Sequence, residues 1–531
     1  MNKYLPALAG LALAACTAEP PPERYAVILA GGTVYAGTDA APAVADVAIE
    51  GDRIAAVGDL SNAEAGLRLD VTGLAVAPGF IDIHSHALRD TPETSGLFLY
   101  PDAENLIRQG VTTVIGGPDG GSPLPIGESL AMIEASAVTV NFATFVGHGS
   151  IRELVVGPDD RPPTAEELEA MKAEVAKAMQ EGAYGLSSGL VYAPGKFATT
   201  EEVVALAKVA GEHGGIYISH MREEGLELLA SVAETIRIGE EGGLPTQLTH
   251  HKVVGAPMWG KSAETLAMVD AALARGVDVS IDQYPYTASS TSLAILFPRW
   301  ALDGDRETRL ARLADPERRA EVRAAIVRNI EVDRGGNDPA NIVLADCTFD
   351  RSLNGLNLSE VLAQRETEIT FDNAAELVIT LVEAGNCSAV FHAMEENDVV
   401  RIMRHPKTMI ASDGGIEAPS ERAPHPRNYG TFARVLGRYV REQGVMPLHT
   451  AIYKMSLLPA ERIGLSERGR LEPGAIADIA VFDAAEVMDT ATFENPHQYA
   501  LGMRHVFVNG EPVLLNAEMT GARPGRVLRS Q

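Results

Sequence analysis

The sequence is short of basic residues, tryptophan and cysteine, and it lacks long apolar runs. Its 44 lysines and arginines stand against 72 aspartates and glutamates, a formal charge of −28. So acidic a surface excludes nucleic acid and anionic lipid as electrostatic partners. A small anionic substrate would need cations placed locally to hold it. Past the N-terminal segment no stretch is apolar for long enough to span a bilayer. Three cysteines occur in 531 residues. Only Cys347 and Cys387 lie in the body of the chain, and spacing does not fix whether they pair. Two small buried hydrophobes are the expected state.

What is present suits a globular chain with a large core: 46% hydrophobic and 22% charged, at a length beyond one minimal domain. Residues 1–16 read as a targeting segment. Lys3 supplies the charge, residues 5–12 the apolar region, and Leu13-Ala14-Ala15-Cys16 resembles the lipobox of bacterial lipoproteins. The expectation is a signal peptide ending at a lipidated Cys16, a tether over residues 17–24, and an exported protein anchored in the membrane, facing the periplasm or cell surface. An ordinary secretory signal is the alternative.

Residues 25–78 alternate short β-type runs with Gly and Asp turns, among them Ala26-Val27-Ile28-Leu29-Ala30 and Val47-Ala48-Ile49-Glu50. Residues 466–531 answer with the same pattern, through Ala477-Asp478-Ile479-Ala480-Val481-Phe482 and His505-Val506-Phe507-Val508. Between them, over residues 79–465, apolar strands alternate with helical patterns, as a parallel barrel requires. Strand candidates after the first are 112–115, 141–146, 185–187, 216–220, 246–250, 277–282 and 409–413. Helical patterns include 165–181, started by Thr164, and 200–212. The spacing breaks over about 290–400, which is charged and helical early, at 306–332. That stretch reads as an insertion after the seventh strand, capping the site.

The barrel would begin at Pro78-Gly79-Phe80-Ile81-Asp82-Ile83-His84-Ser85-His86. Alternate strand residues share a face, so His84 and His86 point the same way and can grip one metal ion. Alone, such a pair reads equally as two polar residues leaving a strand. Further candidates fall at later strand ends: His220, His250 with His251 as its substitute should the register slip by one, and Asp413. Imidazole and carboxylate are the donors that zinc and similar ions prefer.

This order of ligands resembles the amidohydrolase superfamily, metal-dependent hydrolases on a TIM barrel with a small β-sandwich built from both termini. Gly110-Val111-Thr112-Thr113-Val114, residues 187–195, His250-His251-Lys252, residues 282–291 and His425-Pro426-Arg427-Asn428-Tyr429 resemble its D-aminoacylase (N-acyl-D-amino acid deacylase) branch. The resemblance runs from about residue 25 to the C-terminus. It implies one or two zinc ions held by His84, His86, His220, His250 and Asp413, with Asp413 also the general acid–base group of amide hydrolysis. It also implies that Lys252, Tyr192, Tyr284 and Ser289 hold the substrate carboxylate, with Arg427 toward the side chain.

One departure stands out. The branch usually reads Gly-Asn-Cys-Gly after the second strand, with Cys a metal ligand. Here the segment is Gly117-Pro118-Asp119-Gly120-Gly121, and counting from the shared Gly-Val-Thr-Thr-Val puts Asp119 at that position. Asp119 is therefore either a harder, bridging ligand or a turn residue beside glycines. A peptidase for dipeptides with a D-residue, an imide-ring hydrolase, and a non-enzymatic peptide-binding lipoprotein are the competing readings.

Overall fold

The computed structural model describes residues 23–88 and 94–530. Cys16 and the signal segment lie outside the described residues. Eight parallel strands set the architecture: Phe80–Asp82, Val111–Gly116, Asn141–Thr144 (continued by Val146–Gly147), Gly185–Gly189, Ile216–His220, Thr246–Leu248, Val279–Gln283 and Thr408–Ile410. Each pairs in parallel with its neighbours in this order. A parallel bridge between Ser85 and Gly414 joins the first strand to the eighth. Across it the Asp413 amide donates to the His84 carbonyl at 2.9 Å, and the His86 amide to the Gly414 carbonyl at 2.8 Å. The ring is a closed (β/α)8 barrel.

Local sequence explains its helices. Thr164 caps Ala165–Gln180 through a capping box with Glu167. In Thr200–Glu212, Val203, Leu206, Ala207 and Ala210 recur at i, i+3, i+4 and i+7, and all four are buried.

Strands from both termini form a single nine-stranded sheet, joined where Ala75–Pro78 pairs antiparallel with Ile479–Phe482. The small β-domain expected from both termini is thus joined through one run of hydrogen-bonded strands. The long strand Arg24–Val34 takes Ala43–Glu50 along one edge, and Glu64–Asp70 followed by Ala75–Pro78 along the other. One continuous ladder therefore carries both ends of the chain, over a core that includes Leu29, Val47, Ile49, Val76, Ile479 and Phe507.

The insertion between the seventh and eighth strands has its own antiparallel sheet, Ser289–Ser292, Ile342–Asp346 and Ser388–Phe391. It also has its own core, including Leu296, Val322, Ile326, Leu344 and Val378. Its early helical stretch is two helices, Arg306–Ala314 and Pro316–Val332. The Asp315 carboxylate accepts from the Glu317 and Arg318 amides, and Pro316 fits the first turn. The cysteines correct an expectation. Asp346 pairs with Ser388 across the ladder, so the adjoining Cys347 and Cys387 meet and are disulfide-bonded, with Cα atoms 4.5 Å apart. No helix among the described residues is long and apolar enough to cross a membrane.

The disulfide closes a loop with a sequence separation of 40. Replacing both cysteines by alanine is expected to destabilise the insertion by about 2–4 kcal/mol. Hydrogen exchange should then open Leu358–Gln364 and Phe371–Ala384 earlier than the barrel helices. Unchanged exchange there would show that the ladder alone holds the unit.

Candidate metal centre and active site

Six side chains delivered by five barrel strands converge at the carboxyl end of the ring. His84 and His86 follow the first strand, Asp119 the second, and His250 and Asp413 the sixth and eighth; His220 ends the fifth. Donor atoms of His84, His86, Asp119 and Asp413 all lie within 4.8 Å of one another, as do those of Asp119, His220 and His250. Asp119 belongs to both groups. Its Oδ1 lies 3.4 Å from His84 Nε2 and 3.3 Å from His250 Nε2, and its Oδ2 lies 3.4 Å from His86 Nε2 and 3.6 Å from His220 Nδ1. Asp413 Oδ1 stands 3.0 Å from His86 Nε2.

The backbone is bent to achieve this. Asp119, His250 and Asp413 sit at φ 56°, 34° and 50°, a left-handed region that costs a non-glycine residue on the order of 1–3 kcal/mol. Gly189 lets the Asp119 loop press inward, since a Cβ there would stand 2.0 Å from the Asp119 carbonyl oxygen.

The donor set fits a divalent cation. His84 Nε2 and Asp119 Oδ1 are buried without a hydrogen-bond partner, which is costly unless something else meets them. Burial works to strip the proton from His84, yet Asp119 and Asp282 overrule it and hold the ring well above the usual value. The carboxylates thus demand a positive charge at the place where a metal would supply one. Burial pushes His220 down to about 4, leaving the neutral imidazole that ligates metals. A second tier of carboxylates orients the rings. Asp282 Oδ1 lies 3.6 Å from His84 Nδ1 and accepts the His250 amide at 2.7 Å. Glu224 lies 3.1 Å from His250 Nδ1 and 3.5 Å from His220 Nε2.

Residues 69–514 match the profile of the amidohydrolase family. The chain belongs to the amidohydrolase family. It is similar to the D-aminoacylase of Alcaligenes xylosoxydans xylosoxydans, 39% identical over 95% of this chain and 98% of that protein. The N-acyl-D-glutamate deacylase of the same organism is 38% identical, over 96% of this chain and 97% of that protein. Among solved structures it resembles the N-acyl-D-glutamate deacylase of Bordetella bronchiseptica complexed with zinc and a phosphonate inhibitor, a mimic of the reaction's tetrahedral intermediate. That likeness has a TM-score of 0.81 at 34% identity, over 96% of this chain and all of the other.

In this amidohydrolase the metal donors open into a chamber of about 590 Å³. Tyr192, Lys252, Tyr284, Ser289 and Arg427 all line it. Two of them are engaged differently from the expectation. Arg427, expected toward the substrate side chain, donates Nη1 to Asp413 Oδ2 at 2.7 Å. Against the pull of burial toward the protonated form, Arg427 keeps Asp413 far below the usual carboxylate range. Lys252 does not stand as a lone cation, because its Nζ donates to Glu224 Oε1 at 2.5 Å. The Glu224 Oε2 accepts from Arg334 Nη2, of the insertion, at 3.0 Å. Tyr192 lies edge-on to His220 at 4.7 Å and its hydroxyl accepts from Thr291 at 3.0 Å. The Tyr284 ring lies under both Arg427 and Lys252, at 4.9 and 5.6 Å. His251 turns away, its Nε2 2.8 Å from Thr265 Oγ1.

Asp119→Ala removes the donor shared by both groups and should lower the metal bound per chain. The exposed Glu153→Ala, outside both groups, should leave it unchanged. Elemental analysis of the purified variants is the check, and full metal occupancy in Asp119→Ala would show that the histidines suffice.

Proposed function

We propose that the protein is a zinc-dependent hydrolase of N-acyl-D-amino acids, releasing a carboxylic acid and a free D-amino acid. The observation that carries the reading is one carboxylate, Asp119, shared by two ligand groups and flanked by Asp413 at the mouth of a chamber. Nearly full-length similarity to a D-aminoacylase and an N-acyl-D-glutamate deacylase supports it.

His84, His86, Asp119 and Asp413 would hold one ion, and Asp119, His220 and His250 a second. Bound there, zinc would supply Lewis-acid chemistry, polarising the scissile carbonyl and acidifying water. The chain's own residues do the rest. Asp413 is held ionised by Arg427 and faces the ligand groups through Oδ1, so it can take the proton of the attacking water and return it to the leaving amine. Arg427 fixes its orientation through the other oxygen. Lys252 and Arg334 against Glu224 make two positive charges to one negative, so this group of three carries a net charge of +1. That surplus supplies the local cation that a substrate α-carboxylate needs in so acidic a protein. Tyr284 and Ser289 line the same chamber.

We also propose that the protein is exported and anchored through a lipid on Cys16. The Leu13-Ala14-Ala15-Cys16 sequence supports this, and a disulfide at Cys347–Cys387 suits an oxidising compartment.

Hydrolysis of matched N-acyl-D-amino acids, N-acyl-L-amino acids and D-residue dipeptides tests the activity. The N-acyl-D compounds should lead both other sets by at least about tenfold in kcat/KM. Asp413→Asn keeps the shape and should lower turnover by about 10²–10⁴-fold or more with the histidine-bound metal retained. Near-normal turnover in the metal-replete variant would contradict the role given to Asp413.

A further inference from the structure

The chamber has a second exit. A groove of about 640 Å³ leaves the metal centre between the loops that follow the second, third and fourth strands. It shares Asp119, Gly121 and Tyr192 with the chamber, so a molecule held at the metal centre can extend into it. Beside Asp119 its floor is open, since a Cβ on Gly121 would meet nothing nearer than 4.0 Å. Farther out the walls are largely apolar, with Leu124, Ala193, Pro194 and Leu154. Leu154 sits in the last turn of the helix His148–Val155 and keeps 62% of its surface exposed.

Two arguments assign an occupant. The first is position. Lys252, Tyr284 and Arg427 follow the sixth, seventh and eighth strands, and in a ring of eight those lie across from the second, third and fourth. An amide whose carboxylate is held on one side presents its acyl group to the other. The second is charge. None of the described residues lining the groove is a lysine or arginine, and Glu153 stands at its rim. A carboxylate is unwelcome there, whereas a neutral apolar chain covers Leu124 and Leu154 favourably.

We infer that this groove receives the acyl chain, and that the enzyme prefers straight aliphatic acyl groups of medium length to acetyl. The inference rests on the deacylase reading. Full burial of one methylene is worth roughly fourfold in an equilibrium or rate. Even partial burial in an open groove should give at least about a tenfold rise in kcat/KM from acetyl to octanoyl.

The test is kcat/KM for the acetyl, butanoyl, hexanoyl and octanoyl derivatives of one D-amino acid, with the unmodified protein and with Leu154→Asp. Leu154 lines the groove and not the chamber, so acetyl hydrolysis should be unchanged in the variant while the rise with chain length flattens. A flat or falling series in the unmodified protein, with acetyl hydrolysed, overturns the inference and leaves the deacylase reading standing. An equal rise in both proteins puts the chain elsewhere and overturns the placement. Faster cleavage of a D-residue dipeptide than of the octanoyl compound would mean that the groove serves an ammonium group beside Glu153, and overturns it too. Failure to hydrolyse any member of the series defeats both readings.

Discussion

The structure turns on the Asp119 carboxylate, placed where four imidazoles meet. Its two oxygens lie 3.3–3.6 Å from nitrogens of His84, His86, His220 and His250. Asp413 is buried and Asp119 partly so in the same space, and charge of one sign taken from water persists only beside compensating charge. Much of the surrounding sequence serves that placement. Gly189 gives way beneath the Asp119 loop. Asp119, His250 and Asp413 hold left-handed backbone conformations. Asp282 and Glu224 stand behind the rings and fix which nitrogen faces inward. A cation among these donors would satisfy the carboxylates and the orphaned His84 Nε2 together, and would offset the backbone strain.

The insertion is tied to the same centre. Arg334 reaches from it to Glu224, which also touches Lys252, His250 and His220. The candidate metal ligands His220 and His250, the chamber-lining Lys252 and the covering unit therefore share one buried acid. The disulfide and a separate hydrophobic core give that cover its own rigidity. On the opposite side of the ring the short loops after the second, third and fourth strands leave a groove instead of a wall.

Much of this was legible in the sequence, for identifiable reasons. The Pro-Gly turn and apolar run before His84 mark a strand end, and a strand end fixes which way His84 and His86 point. His220, His250 and Asp413 follow runs of the same kind. Asp119 was legible only as a position counted from Gly-Val-Thr-Thr-Val, because a loop of glycines carries no periodicity. Glu224 was missed, although it lies four residues past His220, since it is one of two adjacent glutamates and nothing local separates them. Arg334 was beyond reach, because its partner lies 110 residues earlier in the sequence. For the same reason Lys252 could be placed at the mouth of the barrel but its counter-ion could not. Cys347 and Cys387 meet through a strand register, and their spacing does not encode that register.

Anomalous diffraction from crystals of the zinc-loaded protein, recorded at the zinc edge, tests the central claim most directly. Two peaks are expected, one among His84, His86 and Asp413 and one beside His220 and His250, with an Asp119 oxygen bound to each at about 2.0–2.2 Å. Peaks that leave the Asp119 carboxylate unbound, or a single ion seated away from it, would contradict the account.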